Sequence, residues 1–274
     1  MELDLAYTMD PMSGSLQSAR EEDPAVEAQY QLALEHLRDL HQRWPDRRQA
    51  YVLYLDYSGD RAYKRGDLEQ AEQLWREVIV NAEACLSQRP DDLNTRIGLC
   101  RACVGIFNRI LRSSPTKEAE AEAVIKQGLA HVAIALQQQP RSSRARDAAA
   151  SLNSCLAFCY CRPNRVEESL PLFNEAAKAM ESLCADFPWT PEYWNTLQWF
   201  IGSSARSLKD QGRLDAAQDI LRGFTNWVKQ VHATIPRDPG PRKFLRQTRM
   251  CLVKELRSAD LDQEADDIAH LDEY

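Results

Sequence analysis

Gly66-Asp67-Leu68-Glu69-Gln70-Ala71 returns later in the chain as Gly212-Arg213-Leu214-Asp215-Ala216-Ala217. Weaker copies are Asn164-Arg165-Val166-Glu167-Glu168-Ser169 and Ala259-Asp260-Leu261, and around Pro115-Thr116-Lys117 the glycine is lost. A glycine followed by an amphipathic run reads as a turn that opens a helix. Between these turns a proline recurs at Pro45, Pro90, Pro140, Pro188 and Pro236, in steps of 45, 50, 48 and 48 residues. Proline disfavours helix in the residue before it and suits a first helical turn, so each marks a helix boundary. A repeat therefore holds two breaks and two helices.

The runs before the prolines align. Leu68, Ala71, Leu74, Trp75, Val78, Ile79, Ala82 and Cys85 form one face, matched by Ala121, Val124, Ile125, Gly128, Leu129, Val132 and Ala135. Val166, Ser169, Leu172, Phe173, Ala176, Ala177, Met180 and Leu183 follow, then Leu214, Ala217, Ile220, Leu221, Phe224, Val228 and Val231. This spacing is that of an amphipathic helix. Helices are expected at 24–43, 46–63, 67–88, 91–111, 117–138, 141–160, 164–186, 190–210, 213–234, 240–257 and 261–271. A lone helix pair cannot cover its apolar face but a stack can. The expected fold is all-α: a right-handed solenoid of about five antiparallel pairs with a C-terminal capping helix. Short linkers make it one domain, 24–274, behind an acidic leader, 1–23.

Bulk properties agree. The 274 residues are 44% hydrophobic and include only 10 glycines, which disfavours an all-β fold. A net charge of −7 argues against nucleic acid as the partner. No run of about 18 apolar residues suggests a membrane span, and the leader has no basic n-region or apolar core of a secretory signal. The 8 cysteines do not form the framework of a small secreted domain, so a reducing cytoplasm is expected.

Gly59-Asp60-Arg61-Ala62-Tyr63-Lys64-Arg65-Gly66 followed by Ala71 resembles the tetratricopeptide core, as do Ala205, Leu208, Gly212, Ala217 and Leu221. The second unit departs from it, with Phe107 at the small position and Thr116 at the turn. The long repeat, with Phe187-Pro188-Trp189-Thr190-Pro191-Glu192-Tyr193, Leu197 and Gln211 to Ala217, is similar to repeats in the C-terminal tails of some bacterial serine/threonine kinases. No kinase signature accompanies it: no glycine-rich phosphate loop, His-Arg-Asp or Asp-Phe-Gly. The resemblance implies a non-enzymatic scaffold that binds a protein, with a regulatory module of a kinase system as the alternative. A hydrolase or metal enzyme is the remote alternative.

The chemistry-bearing residues have structural readings first. Cys100/Cys103 and Cys155/Cys159 are i, i+3 and i, i+4 pairs inside expected helices, where cysteine packs as a small hydrophobe rather than ligating zinc. The five histidines show no paired ligand spacing, so neither metal nor cofactor is expected. Arg96, Arg146 and Arg242 share a column with Trp194, and local pairing with acids on the neighbouring helix, or stems lying on apolar surface, is favoured over a ligand ladder. Residues 236–257 carry seven bases against two acids, and 260–274 seven acids and no base, which predicts mutual neutralisation at the end of the stack.

In tetratricopeptide units the first helix of each pair lines a concave groove. The resemblance therefore implies a partner-binding groove with Arg101, Asn108, Phe158, Trp199, Arg206, Lys209, Lys254 and Arg257 on it. Trp199 lies off the apolar stripe of Leu197, Phe200, Ile201, Ser204 and Leu208, and its column mates Arg101, Ser151 and Gln247 are polar. A tryptophan among bases is either an interface anchor or a filler over small neighbours such as Gly202. As an anchor it suits an acidic peptide with an apolar group.

Overall fold

The computed structural model describes residues 24–43, 48–113, 117–161 and 165–271. The leader 1–23 lies outside the described residues. Eleven helices and no strand occur among the described residues: α1 (Pro24–Arg43), α2 (Arg48–Lys64), α3 (Leu68–Gln88), α4 (Leu93–Ser113), α5 (Glu118–Gln138), α6 (Ser143–Cys161), α7 (Val166–Asp186), α8 (Pro191–Asp210), α9 (Leu214–Thr234), α10 (Pro239–Arg257) and α11 (Asp262–Ala269). They fall into two compact units, 1–90 and 91–274.

The repeated turn has one geometry. Gly66 and Gly212 sit at φ 83° and 71°, the left-handed region open to glycine. The residue after each glycine donates its N–H five residues back, Asp67 to Ala62 O at 2.9 Å and Arg213 to Leu208 O at 2.9 Å. Arg165 to Tyr160 O and Leu261 to Leu256 O repeat the bond at 2.9 and 3.0 Å. This closes off the last carbonyls of the first helix of each pair. In the last copy Asp260 holds the left-handed position at φ 59°, which aspartate tolerates better than most residues. The other breaks use proline, with Pro191 and Pro239 in the first turns of α8 and α10.

In the first unit α2 packs against α1 and α3. Gly59 lies under the Trp75 indole, where a Cβ would stand 2.5 Å from Nε1, so glycine is required. Arg38 Nε donates to Tyr51 Oη at 3.0 Å, and Tyr51 Oη donates to Glu77. Arg61 lies 3.9 Å over the Tyr30 ring.

In the second unit α4, α6, α8 and α10 pack in series, and each packs against its own second helix, α5, α7, α9 or α11. The core runs between the two layers as an aromatic ladder. Phe158 meets Phe173 at 5.1 Å, Phe173 meets Phe200 at 5.9 Å, and Phe200 meets Phe224 at 6.1 Å. Gly128 lets α5 close on α4 and α6, since a Cβ there would come within 2.7 Å of Leu152 and 3.2 Å of Cys103.

The arginine column faces inward. Arg96 meets His131 of α5 at 3.2 Å, and Arg146 meets Ser182 and Asp186 of α7 at 2.7 and 2.8 Å. Trp194 packs on Trp227 of α9 with the ring centres 5.9 Å apart and donates Nε1–H to Pro188 O. One slot thus braces α4, α6 and α8 to their partners by three different chemistries. The cysteines pack, as expected: all are buried except the half-buried Cys251, and burial pushes the Cys100 thiol up to about 12.

Candidate functional site: the open face of the first-helix layer

On α8 and α10 one side is buried and the opposite side exposed, whereas α6 exposes no residue from 145 to 161. On α8 the core side is Trp194, Leu197, Ile201, Ala205 and Leu208; Trp199 and Arg206 lie opposite. On α10 the core side is Leu245, Leu252 and Leu256. Its exposed stripe is Lys243, Gln247, Met250, Lys254 and Arg257, recurring every three or four residues.

Trp199 is 51% exposed, so it is not a core residue. It is not loose either: its ring stands edge-on to Phe158 at 5.5 Å, and Phe158 rests on the buried Phe173. The core ladder therefore reaches the surface at Trp199. Edge-to-face contacts hold a ring in one orientation and leave its other edge available. Gly202 faces Glu255 on α10 rather than Trp199, with Glu255 Oε1 3.5 Å from where its Cβ would be. On α10 Met250 is 68% exposed, one repeat on from Gly202.

The expected groove residues take different positions. Arg206 and Lys254 are exposed and make no side-chain hydrogen bond or ion pair among the described residues. Lys209 is engaged: its Nζ donates to Ser258 O at 3.2 Å and Oγ at 2.7 Å, closing the end of α10. Arg257 pairs with Asp266 of α11 at 3.2 Å. Arg101 is exposed and Asn108 half-buried on α4, separated from α8 by α6. Phe158, Trp199, Arg206 and Lys254 thus carry the aromatic and cationic character of the face, and Lys209 and Arg257 brace its end.

One residue outside that expected set belongs with the face: Met250 lies on the exposed stripe of α10 with Lys254 and Arg257, and its residue type alone says nothing about exposure. On α6, Asp147 is half-buried one turn before Ser151, on a side where Ser154 is buried. Burial pushes it up to about 6, opposed by the Arg101 charge and assisted by Glu192.

Charge is segregated between the layers. The first helices α4, α6, α8 and α10 carry fourteen Lys and Arg against four Asp and Glu, a net +10. The second helices α5, α7, α9 and α11 carry four against fourteen, a net −10. Many second-layer acids are paired. Glu122 meets Lys126 and Arg165 at 2.6 and 3.2 Å, Glu167 meets Arg213 at 2.5 Å, and Asp267 meets Lys229 at 3.1 Å. At the end of the stack, buried Arg249 donates to Ile268 O and Ala269 O at 3.2 and 3.0 Å, satisfying the last carbonyls of α11. Of the expected neutralisation between the basic helix and the acidic tail, the pair Arg257–Asp266 is formed, while Glu264 and Asp267 pair with Arg222 and Lys229 of α9 instead.

No group of three or more His, Cys, Asp or Glu side chains is arranged to hold a metal ion among the described residues, and no described helix is long and apolar enough to cross a membrane.

No protein-family model and no curated protein matches the chain. Solved structures do. BtubC (BKLC) from P. vanneervenii is 18% identical, covers 90% of this chain and 89% of its own, and has a TM-score of 0.53. TTC0263, a thermophilic TPR protein of Thermus thermophilus, is 16% identical over 82% of this chain and 93% of its own, with a TM-score of 0.38. At these identities the first likeness shows a shared fold, and the second is too distant in shape to argue from. The chain is an all-α helical-repeat protein that shares its fold with BtubC.

Proposed function

We propose that the protein is a non-enzymatic scaffold whose second unit seats an acidic peptide or helix with an apolar anchor on the open face of the first-helix layer. The observation that carries this is Trp199, half exposed yet held edge-on by Phe158, with the exposed Arg206 two turns along α8 and the exposed Met250 and Lys254 on the adjoining α10. Rigid aromatic groups surrounded by polar residues are typical interface anchors. Unpaired cations on a protein of net charge −7 attract and orient an anionic segment locally. Phe158 supports the indole, and Arg101, Asn108, Lys209 and Arg257 lie at the margins of the same face.

Selection from a random peptide library tests the reading. The enriched peptides should carry an apolar residue flanked by Asp and Glu, and Trp199→Ala should weaken them at least about tenfold with little change in melting temperature. Enrichment of basic or featureless peptides that are insensitive to Trp199→Ala would overturn it.

A further inference from the structure

The last helix pair is built differently from the others. Second helices α5, α7 and α9 are each 21 residues long, whereas α11 has 8. Its end is set by Arg249 of α10, which donates to Ile268 O and Ala269 O. Arg246 and Arg242 stand three and seven residues before Arg249. At about 1.5 Å of rise per residue, they lie about 5 and about 10 Å past the end of α11. Arg242 occupies the slot held by Arg96, Arg146 and Trp194 on the preceding first helices. Each of those is met from the second helix, by His131, by Asp186 with Ser182, and by Trp227. Arg242 is half-buried, and its Nε is enclosed with no hydrogen-bond partner among the described residues. Arg96 Nε is enclosed likewise, but His131 holds that guanidinium through Nη1. Around Arg242, the exposed Arg237, Lys243 and Arg246 face one acid, Asp238. None of these four bases makes a side-chain hydrogen bond or ion pair among the described residues.

We propose that the first two turns of α10 are a second docking surface, which takes an acidic helix of a partner protein lying antiparallel to α10 with a carboxylate on Arg242. The occupant is helical because this strip of a first helix is the one that α5, α7 and α9 cover in the preceding pairs. It is acidic because four bases stand here against one acid, and because Asp186 closes the same slot on Arg146. A guanidinium donor enclosed away from water gains most from an ionised acceptor. The surface is independent of the Trp199 face: Arg242 shares its column with the buried Trp194, on the opposite side of a first helix from Trp199.

The probe is a fluorescein-labelled peptide with the sequence of residues 174–186, the part of α7 that closes the Arg146 slot, carrying Cys184→Ser. Its acids are Glu175, Glu181 and Asp186 and its one base is Lys178. By fluorescence anisotropy the full chain should bind it in preference to a scrambled peptide of the same composition. Arg242→Gln should weaken binding at least about tenfold, the loss of one hydrogen-bonded charge pair. Arg246→Gln, fully at the surface, should weaken it less than about fivefold. A peptide carrying Asp186→Asn should lose as much as Arg242→Gln on the unmodified protein and nothing further on Arg242→Gln, which keeps the test valid if that variant folds poorly. Trp199→Ala should change nothing. Equal binding of the scrambled peptide overturns the proposal, and so does a loss in Trp199→Ala with Arg242→Gln unaffected, which would put the peptide on the open face. No binding to the unmodified protein overturns it, whether or not removal of residues 272–274 restores binding. A dimer in light scattering that Arg242→Gln dissolves replaces the partner with a second copy and overturns it too.

Discussion

The two helix layers of the second unit carry mirror-image charge and treat it in opposite ways. In the second layer, acids are met by nearby bases, many of them at turns, as when Arg165 takes Glu122 and Glu168 and Arg213 takes Glu167 and Asp215. In the first layer, several cations on the open side of α8 and α10 have no such partner among the described residues, including Arg206 and Lys254. A surface whose charges are satisfied internally has little electrostatic energy left for a ligand, whereas an unsatisfied one retains it. Composition alone would rank the layers as equally charged. The pairing makes one of them the candidate interface.

The sharpest way to break this contrast is on α8, where two tryptophans lie on opposite sides of one helix. Trp194→Ala empties a fully buried slot against Trp227 and should cost about 3–5 kcal/mol in denaturant unfolding, whereas Trp199→Ala should leave the midpoint nearly unchanged. Equal losses would mean that the face is core. Next in size is Arg249, whose guanidinium serves the end of α11. Arg249→Leu should cost about 2 kcal/mol and speed amide exchange in α11, because the buried Ile268 carbonyl and the half-buried Ala269 carbonyl lose their donor. Unchanged exchange would show that α11 is held by Ala265 and Ile268 alone.

The buried acids sharpen the contrast through pH. Burial raises Asp147 to about 6 and Glu181 to about 7, so the folded state holds these protons more tightly than the unfolded chain. Their contribution to stability is fully present below their ordinary values near 4 and is lost as pH rises towards about 6 and 7 respectively. Glu181→Gln should therefore stabilise the protein by about 1–2 kcal/mol above pH 7 and by almost nothing near pH 4, measured by urea titration at both. The smallest effect is expected at Lys254. Lys254→Ala should shift stability by less than about 0.5 kcal/mol and slow association with an acidic peptide, a loss that fades at high salt.

Helix number, order and boundaries were legible because each depends on neighbours in sequence. The turn at Gly212 needs a residue that tolerates positive φ, and the run after it needs apolar residues every third or fourth position. Asp260 was readable only as a weak copy, because its left-handed backbone is shown by geometry and not by residue type. The inward column of Arg96, Arg146 and Trp194 was visible as a register, and local pairing was the favoured reading of its arginines. The partner in each case, His131, Asp186 with Ser182, and Trp227, required the second helix to be in place.

For the candidate site the division is similar. Trp199 stood out by falling off an apolar stripe, which is a property of its own helix. Two explanations survived, because an indole at that angle can lie over a gap or face a partner. Its 51% exposure and its contact with Phe158, a residue more than forty positions earlier, place it at the edge of the aromatic ladder. Lys209 looked like a groove cation, but its ammonium ends on Ser258, a contact made only when α8 and α10 lie side by side. Asp147 drew no notice in the sequence, where it is one acid beside an arginine. The sequence by itself determined which residues form helices and which side of each helix faces the core, because those follow from backbone limits and short-range periodicity. Tertiary structure alone decided which charges are spent on internal partners and which remain open, because that depends on distances between residues far apart in the chain.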